Sequence, residues 1–338
     1  MNNEQTSGPC VAMLGAGSYG TALAIQLARK PQRTLLWGRN REAIEAIAGA
    51  RVNERYLPGC PFPDALEPMA DLDQVVDQSD DIILNVPSHG IRELLDMIAP
   101  MLKGQRLACA AKGLEPGTGR LLHEVFADVV GADYPLAFIS GPTFAKEVGQ
   151  GLPTAVTIAS RDEKVAEDFA AYFHHSGFRA YTQTDIIGVQ VGGAVKNVLA
   201  IGTGIADGLQ AGANTRALLI TRGLAEMMRL SEALGGRRDT MMGLAGMGDL
   251  VLTCTDNQSR NRRFGLALAA GKDLDEAQEE IGQVVEGVRV AAEVWRLAQD
   301  HQVEMPICEQ IYKVIHEGMS PLLAAKVLVG RPQKAELG

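Results

Sequence analysis

Glycines at 15, 17 and 20 leave the N-terminal part of this chain few folds to choose from. The apolar run 10–14 reads as a short buried strand, and residues 21–28 have helical composition. Gly15-Ala16-Gly17-Ser18-Tyr19-Gly20 is therefore GxGxxG between a strand and a helix. Gly15 permits the tight turn, Gly17 lets the backbone approach a pyrophosphate, and Gly20 lets the helix pack closely on the strand. N–H groups at the helix start, with the helix dipole behind them, attract phosphate. The competing reading is a glycine-rich turn that binds nothing; the flanking strand and helix favour a dinucleotide.

A second strand is predicted at 34–37, ending at Gly38-Arg39. An NAD-selective site places Asp or Glu about there, to bond the ribose 2′-hydroxyl. Arg39 stands there instead, and the next acid is Glu42. A guanidinium grips a 2′-phosphate in bidentate fashion, so NADPH is expected to be accepted. A solvated loop arginine is the alternative. Buried runs at 81–86, 106–111, 136–139 and 154–159 alternate with helical stretches. That alternation predicts a parallel, doubly wound sheet, the Rossmann-type α/β arrangement, over residues 1–187. Ligands of such sheets sit beyond the carboxyl ends of the strands, which puts Pro87, Lys112, Gly141 and Thr143 on one rim. Lys112 reads equally as turn chemistry or as a cation facing a cofactor.

From about Asp185 the texture changes to long Ala/Leu/Met-rich segments at 188–206, 215–234, 260–270, 286–299 and 306–317. An all-α second domain over 188–330 and a tail over 331–338 are predicted. A length of 338 residues fits two domains. Residues 186–206 are apolar enough to raise a membrane span, but Gln190, Lys196, Asn197 and Thr203 interrupt them. A buried helix is expected, packed inside one subunit or against a second copy in a homodimer.

Lys196 is the one ionisable side chain from Ile186 to Ala206. Burial disfavours an ammonium and draws its pKa from about 10.4 towards neutrality. That suits a group that must both give and take a proton. The alternative is a lysine that snorkels to solvent. Residues 248–263 join Asp249, a hydroxyl-rich loop, and Arg260, Arg262 and Arg263 at the start of a helix. Arginine and small hydrogen-bonding side chains at a helix N-terminus suit a phosphate monoester. Cations there oppose the helix dipole and need another reason to be present. A solvated basic face, or pairing with acids elsewhere, is the competing reading.

Other chemistries find little support. A net charge of −9 argues against a nucleic-acid partner. The five cysteines, at 10, 60, 109, 254 and 308, include no CxxC, so neither a disulfide framework nor a zinc site is expected, and a reducing, cytoplasmic setting is. The polar start lacks a secretion-signal pattern. None of the six His makes HExxH, and GxSxG and Walker A do not occur, so no metal site, nucleophile elbow or P-loop is expected.

The chain resembles the NAD(P)-dependent glycerol-3-phosphate dehydrogenases of bacteria over nearly its whole length. The marks are residues 15–24 (GAGSYGTALA), Asn85-Val86-Pro87-Ser88, Ala111-Lys112-Gly113-Leu114-Glu115 and Ser140-Gly141-Pro142. They continue with Gly193-Ala194-Val195-Lys196-Asn197, Gly248-Asp249-Leu250, Thr253-Cys254, residues 257–261 and Val285-Glu286-Gly287. The resemblance implies reversible reduction of dihydroxyacetone phosphate to sn-glycerol 3-phosphate with NADH or NADPH, feeding glycerophospholipid synthesis. It implies Lys196 as general acid/base with Asp249 orienting it. The cofactor would be lined by the glycine turn with Ser18 and Tyr19, and by Arg39, Lys112, Ala145, Arg260, Val284 and Glu286. The substrate would be held by Lys112, Gly141, Thr143, Lys196, Asp249, Ser259, Arg260 and Asn261. Thr143 stands where some relatives have serine, and the hydroxyl is kept.

Overall fold

The computed structural model describes residues 8–30 and 32–332. The polar start through residue 7 and the expected tail from 333 on lie outside the described residues. Two compact units emerge: the chain up to Glu115 with Arg120–Gln190, and Pro116–Gly119 with the chain from Val191 on. The division falls inside the helix Ile186–Gly208, as does the expected boundary at 187/188.

The first unit runs β1 (Val11–Leu14), α1 (Ser18–Ala28), β2 (Thr34–Trp37), α2 (Arg41–Ala50), β3 (Val52–Asn53), β4 (Leu57–Pro61), β5 (Leu66–Pro68), α3 (Leu72–Asp77), β6 (Asp81–Leu84), α4 (Ile91–Ile98), β7 (Arg106–Cys109), α5 (Leu122–Val130), β8 (Leu136–Ser140), α6 (Ala145–Gln150), β9 (Thr154–Ser160), α7 (Glu163–Phe173) and β10 (Phe178–Gln183). Eight strands form one sheet in the order β10-β9-β8-β7-β6-β1-β2-β5, and β3 pairs with β4 apart from it. The order reverses at β1, whose neighbours are β2 and β6, so the ligand crevice of this topology lies beyond Leu14 and Leu84. Val11, Met13, Leu36, Ile83, Ala108 and Ile139 from the sheet pack with Leu23, Ile25 and Leu27 of α1 and with Phe169 and Phe173 of α7. Each large side chain buried this way contributes roughly 1.5–3 kcal/mol.

The sheet departs from the all-parallel expectation at its end. β9 runs antiparallel to β8, and β10 follows β9 in parallel. The β8–β9 link carries only the six-residue α6, a rise of about 9 Å. The chain turns back through that short helix, and β9 starts from the end at which β8 stops.

The second unit is helical: α8 (Ile186–Gly208), which starts in the first unit, then α9 (Gly212–Ala233), α10 (Asp249–Thr255), α11 (Arg260–Ala269), α12 (Leu274–Ile281), α13 (Glu286–Asp300), α14 (Pro306–His316) and α15 (Pro321–Val329). α10 occupies most of what reads as a hydroxyl-rich loop, because Thr253 and Thr255 bond back to the carbonyls of Asp249 and Val251 and so cost the helix little. α8 is long and apolar enough to cross a membrane by length and composition, yet residues 188–201 are all buried in the protein. Its glycines are used within the chain. A β carbon at Gly204 would lie 2.1 Å from the Arg262 carbonyl oxygen, and one at Gly265 would lie 2.1 Å from that of Ile201. α8 and α11 therefore cross backbone to backbone.

Candidate active site

The glycine turn has the shape its sequence asks for. Gly15 sits at φ +131°, and a β carbon there would lie 2.3 Å from the Asn85 carbonyl oxygen at the end of β6. A β carbon at Gly20 would strike the Gly15 carbonyl oxygen at 1.9 Å. At Gly17 the opposite holds: a β carbon would meet nothing within 4 Å. Gly17 is the N-cap of α1 and supplies no side-chain cap to its amides. An open cradle at a helix start fits a pyrophosphate. Asn53, which the sequence did not single out, braces the turn by donating to the Ala16 carbonyl at 3.0 Å and to Thr21 Oγ1 at 2.9 Å.

Along the same rim, Lys112 Nζ donates to the Gly141 carbonyl at 2.8 Å and to Thr143 Oγ1 at 3.3 Å. It also lies 5.3 Å from the centre of the Tyr19 ring, a cation–π distance. Gly141, at φ +140°, packs against the backbone of β9, where a β carbon would lie 3.2 Å from the Val156 α carbon. Three sequence candidates, Lys112, Gly141 and Thr143, are thus one hydrogen-bonded group. Ala145 opens α6 beside them. Arg39 is exposed at the end of β2 and pairs with Glu93 of α4 at 2.9 Å. The carboxylate that faces Arg39 therefore comes from another element.

In the second unit Lys196 is 6% exposed and Asp249 1%. Lys196 Nζ donates to Asp249 Oδ1 at 2.6 Å and to Thr253 Oγ1 at 3.0 Å. Lys196 does not snorkel; it is held in the interior by a carboxylate and a hydroxyl. Thr253 had no role in the sequence reading, although its i,i+4 spacing from Asp249 puts both on one helix face.

The 257–261 cluster divides its labour. Ser259 caps α11 by accepting from the Arg262 N–H at 3.2 Å. Arg262 is buried and paired with Asp207 at 2.5 Å, so one of the three arginines is answered by an acid elsewhere. Asn261 donates to Asn197 Oδ1 at 2.8 Å and accepts from the Gly287 N–H at 2.9 Å. It thereby ties α11 to the residue next to Lys196 and to the start of α13. Arg260 donates to Gln283 Oε1 at 3.3 Å. Burial pulls its guanidinium below the ordinary arginine value, against the opposing effect of Glu286. Val284 and Glu286 stand at the entry to α13, beside Gln283.

A dinucleotide-type crevice in the first unit and a buried lysine–carboxylate pair in a helical second unit define a two-domain dehydrogenase architecture. Comparison with known proteins narrows this. Residues 10–166 match the pattern of the NAD-dependent glycerol-3-phosphate dehydrogenase N-terminus and residues 185–326 that of its C-terminus. The chain is 54% identical to the glycerol-3-phosphate dehydrogenase [NAD(P)+] of Photobacterium profundum, over 99% of this chain and 100% of that one. The crystal structure of glycerol-3-phosphate dehydrogenase from Coxiella burnetii superposes with a TM-score of 0.92 at 48% identity, covering 96% of this chain and 99% of that one. The structure of the Saccharomyces cerevisiae enzyme, at 26% identity, gives 0.81 over 95% and 99%. The chain belongs to the NAD-dependent glycerol-3-phosphate dehydrogenase family.

Proposed function

We propose that this protein reduces dihydroxyacetone phosphate reversibly to sn-glycerol 3-phosphate with NADPH or NADH, supplying glycerophospholipid synthesis. The observation that carries the reading is the buried Lys196 amine held by Asp249 and Thr253. When bound, the reduced nicotinamide supplies the hydride that C2 of the ketone accepts. Lys196, as ammonium, polarises the C2 carbonyl and gives its proton to the oxygen there as the alcohol forms. In the reverse direction the neutral amine takes that proton. Asp249 favours the charged form and fixes the amine's direction. Arg260, at the start of α11, grips the phosphate, and Asn261 holds that helix start in place. Binding energy remote from C2 is then used to position it.

Gly15, Gly17, Ser18, Tyr19 and Gly20 hold the dinucleotide, and Lys112, Gly141 and Thr143 contribute to the substrate. Arg39 offers a 2′-phosphate partner, which supports use of NADPH. Five free, buried cysteines fit a reducing cytoplasm.

The test is spectrophotometric. Protein, NADPH and dihydroxyacetone phosphate are mixed and the nicotinamide absorbance is followed, beside the same assay with unphosphorylated dihydroxyacetone. Rapid oxidation with the phosphate ester and slow oxidation without it is the expected outcome. Oxidation no faster than in the absence of protein removes the reading.

A further inference from the structure

Gly192 and Lys196 lie one turn apart on α8 and so share a face. Ala245 and Asp249 are also four residues apart, and the two pairs meet in register. A β carbon on Gly192 would lie 2.4 Å from the Ala245 carbonyl oxygen, while Lys196 Nζ lies 2.6 Å from Asp249 Oδ1. The segment that carries Ala245 is unusual. Residues Leu244–Gly248 form a π-helical turn, with the Gly248 N–H on the Gly243 carbonyl at 3.1 Å and the Asp249 N–H reaching back to Leu244. α10 starts directly after it.

A π turn holds one residue more than an α turn, and such turns recur at functional sites. Without that residue, Asp249 would be rotated by about 100° around the α10 axis. Its carboxylate would then leave the face that meets α8. A turn of this kind needs support to persist. It is wedged from both sides: by Gly192 of α8 against Ala245, and by Met241, whose carbonyl oxygen would lie 2.2 Å from a β carbon on Gly246.

We propose that Gly192 and the π-helical turn Leu244–Gly248 form a positioning element for the reaction. The bare α carbon of Gly192 admits the Ala245 carbonyl, and that contact sets the depth and rotation at which Asp249 reaches Lys196. The inference rests on Lys196 being the proton donor, and it assigns to backbone packing the alignment of that donor.

Gly192→Ala is the direct test. The clash is with backbone, so the turn must move. The expected result is a kcat lowered about 10- to 100-fold with the KM for NADPH unchanged. Asp249→Asn added to Gly192→Ala is expected to lower kcat far less than it does alone, because both act on one contact. Gly208→Ala is the matched control: its β carbon would meet that of Ala269 at 2.5 Å at the far end of α8. It is expected to lose thermal stability while keeping kcat. If Gly192→Ala yields no folded protein by circular dichroism, Ala245→Gly takes its place in the cycle. It loosens the turn without a clash, and a smaller, equally non-additive fall in kcat is expected.

Wild-type kcat in the folded variant, effects that multiply with Asp249→Asn, or an equal kcat loss in Gly208→Ala overturns the inference. Lys196→Met is assayed alongside. Full activity there would remove the proton-donor reading itself, whereas an inactive Lys196→Met beside a fully active Gly192→Ala removes only the positioning element.

Discussion

Lys196 and Asp249 are 53 residues apart in the chain and 2.6 Å apart in the fold, both shut away from solvent. A buried ion pair of this kind is a poor source of net stability, because desolvating two charges offsets most of their attraction. Removing one partner alone is worse, since it strands the other charge. The pair is therefore better understood as a device for keeping a charged amine indoors than as a brace.

Lys196→Met is expected to lower kcat by about 100- to 10,000-fold while NADPH still binds. It should also lower the melting temperature, since Asp249 is left buried and unpaired. The double variant Lys196→Met with Asp249→Leu should regain stability but not turnover. Calorimetry and steady-state kinetics on the three proteins check this; recovered activity in the double variant would contradict the role of the amine.

The glycine turn offers a contrast between neighbours. Gly15→Ala places a β carbon against the Asn85 backbone at a φ that suits only glycine, so it should destabilise the fold. Gly17→Ala meets open space in the protein, so its melting temperature should match wild type. Its KM for NADPH should rise at least about tenfold, because the added methyl fills the room a pyrophosphate needs.

Arg260→Ala should act mainly on substrate binding. The expected outcome is a raised KM for dihydroxyacetone phosphate with a smaller change in kcat, measured at saturating NADPH. An unchanged KM would remove the phosphate grip at the start of α11.

Cofactor choice should respond to the exposed Arg39–Glu93 pair. Arg39→Ala should raise the KM for NADPH more than that for NADH. Glu93→Ala releases the guanidinium and should do the reverse, lowering the KM for NADPH, as parallel initial-rate measurements would show.

Glu226, buried on α9, accepts the N–H groups of Ile307 and Cys308 at 2.7 and 3.1 Å and so caps α14. Burial pushes its pKa from the ordinary 4.5 up to about 7, against the lowering effect of those hydrogen bonds. Between these values the native protein holds a proton that the unfolded chain releases. The stability this provides is complete below pH 4.5 and declines as pH rises to about 7, by at most about 1.4 kcal/mol per pH unit. Urea unfolding of wild type and Glu226→Gln across that range should show the decline in wild type alone.

Much of the first unit could be read from order along the chain. The glycine turn, the strands expected at 34–37, 81–86 and 106–111 (the last two end two residues earlier, at Leu84 and Cys109) and the strand-end residues Lys112, Gly141 and Thr143 follow from local rules, since a parallel sheet places every carboxyl end on one rim. Lys196 was legible for a similar reason: one charge in a long apolar helix has few uses. Thr253 was missed because α10 reads as a loop. α12 was missed although Leu274, Ala277 and Ile281 fall at helical spacing and Asp273 with Glu276 forms a capping box that marks its start.

The sequence alone determined which residues have the chemistry: a turn that tolerates only glycine, a lone lysine among apolar neighbours, an arginine where a helix begins. Local sterics and burial act within a few residues, so they are written locally. Only the tertiary structure decided who meets whom. It paired Lys196 with Asp249, answered Arg39 with Glu93 and Arg262 with Asp207, and turned β9 against β8. Those choices depend on helix register, backbone contact and connection length, which emerge when distant segments pack and leave no short-range mark in the chain.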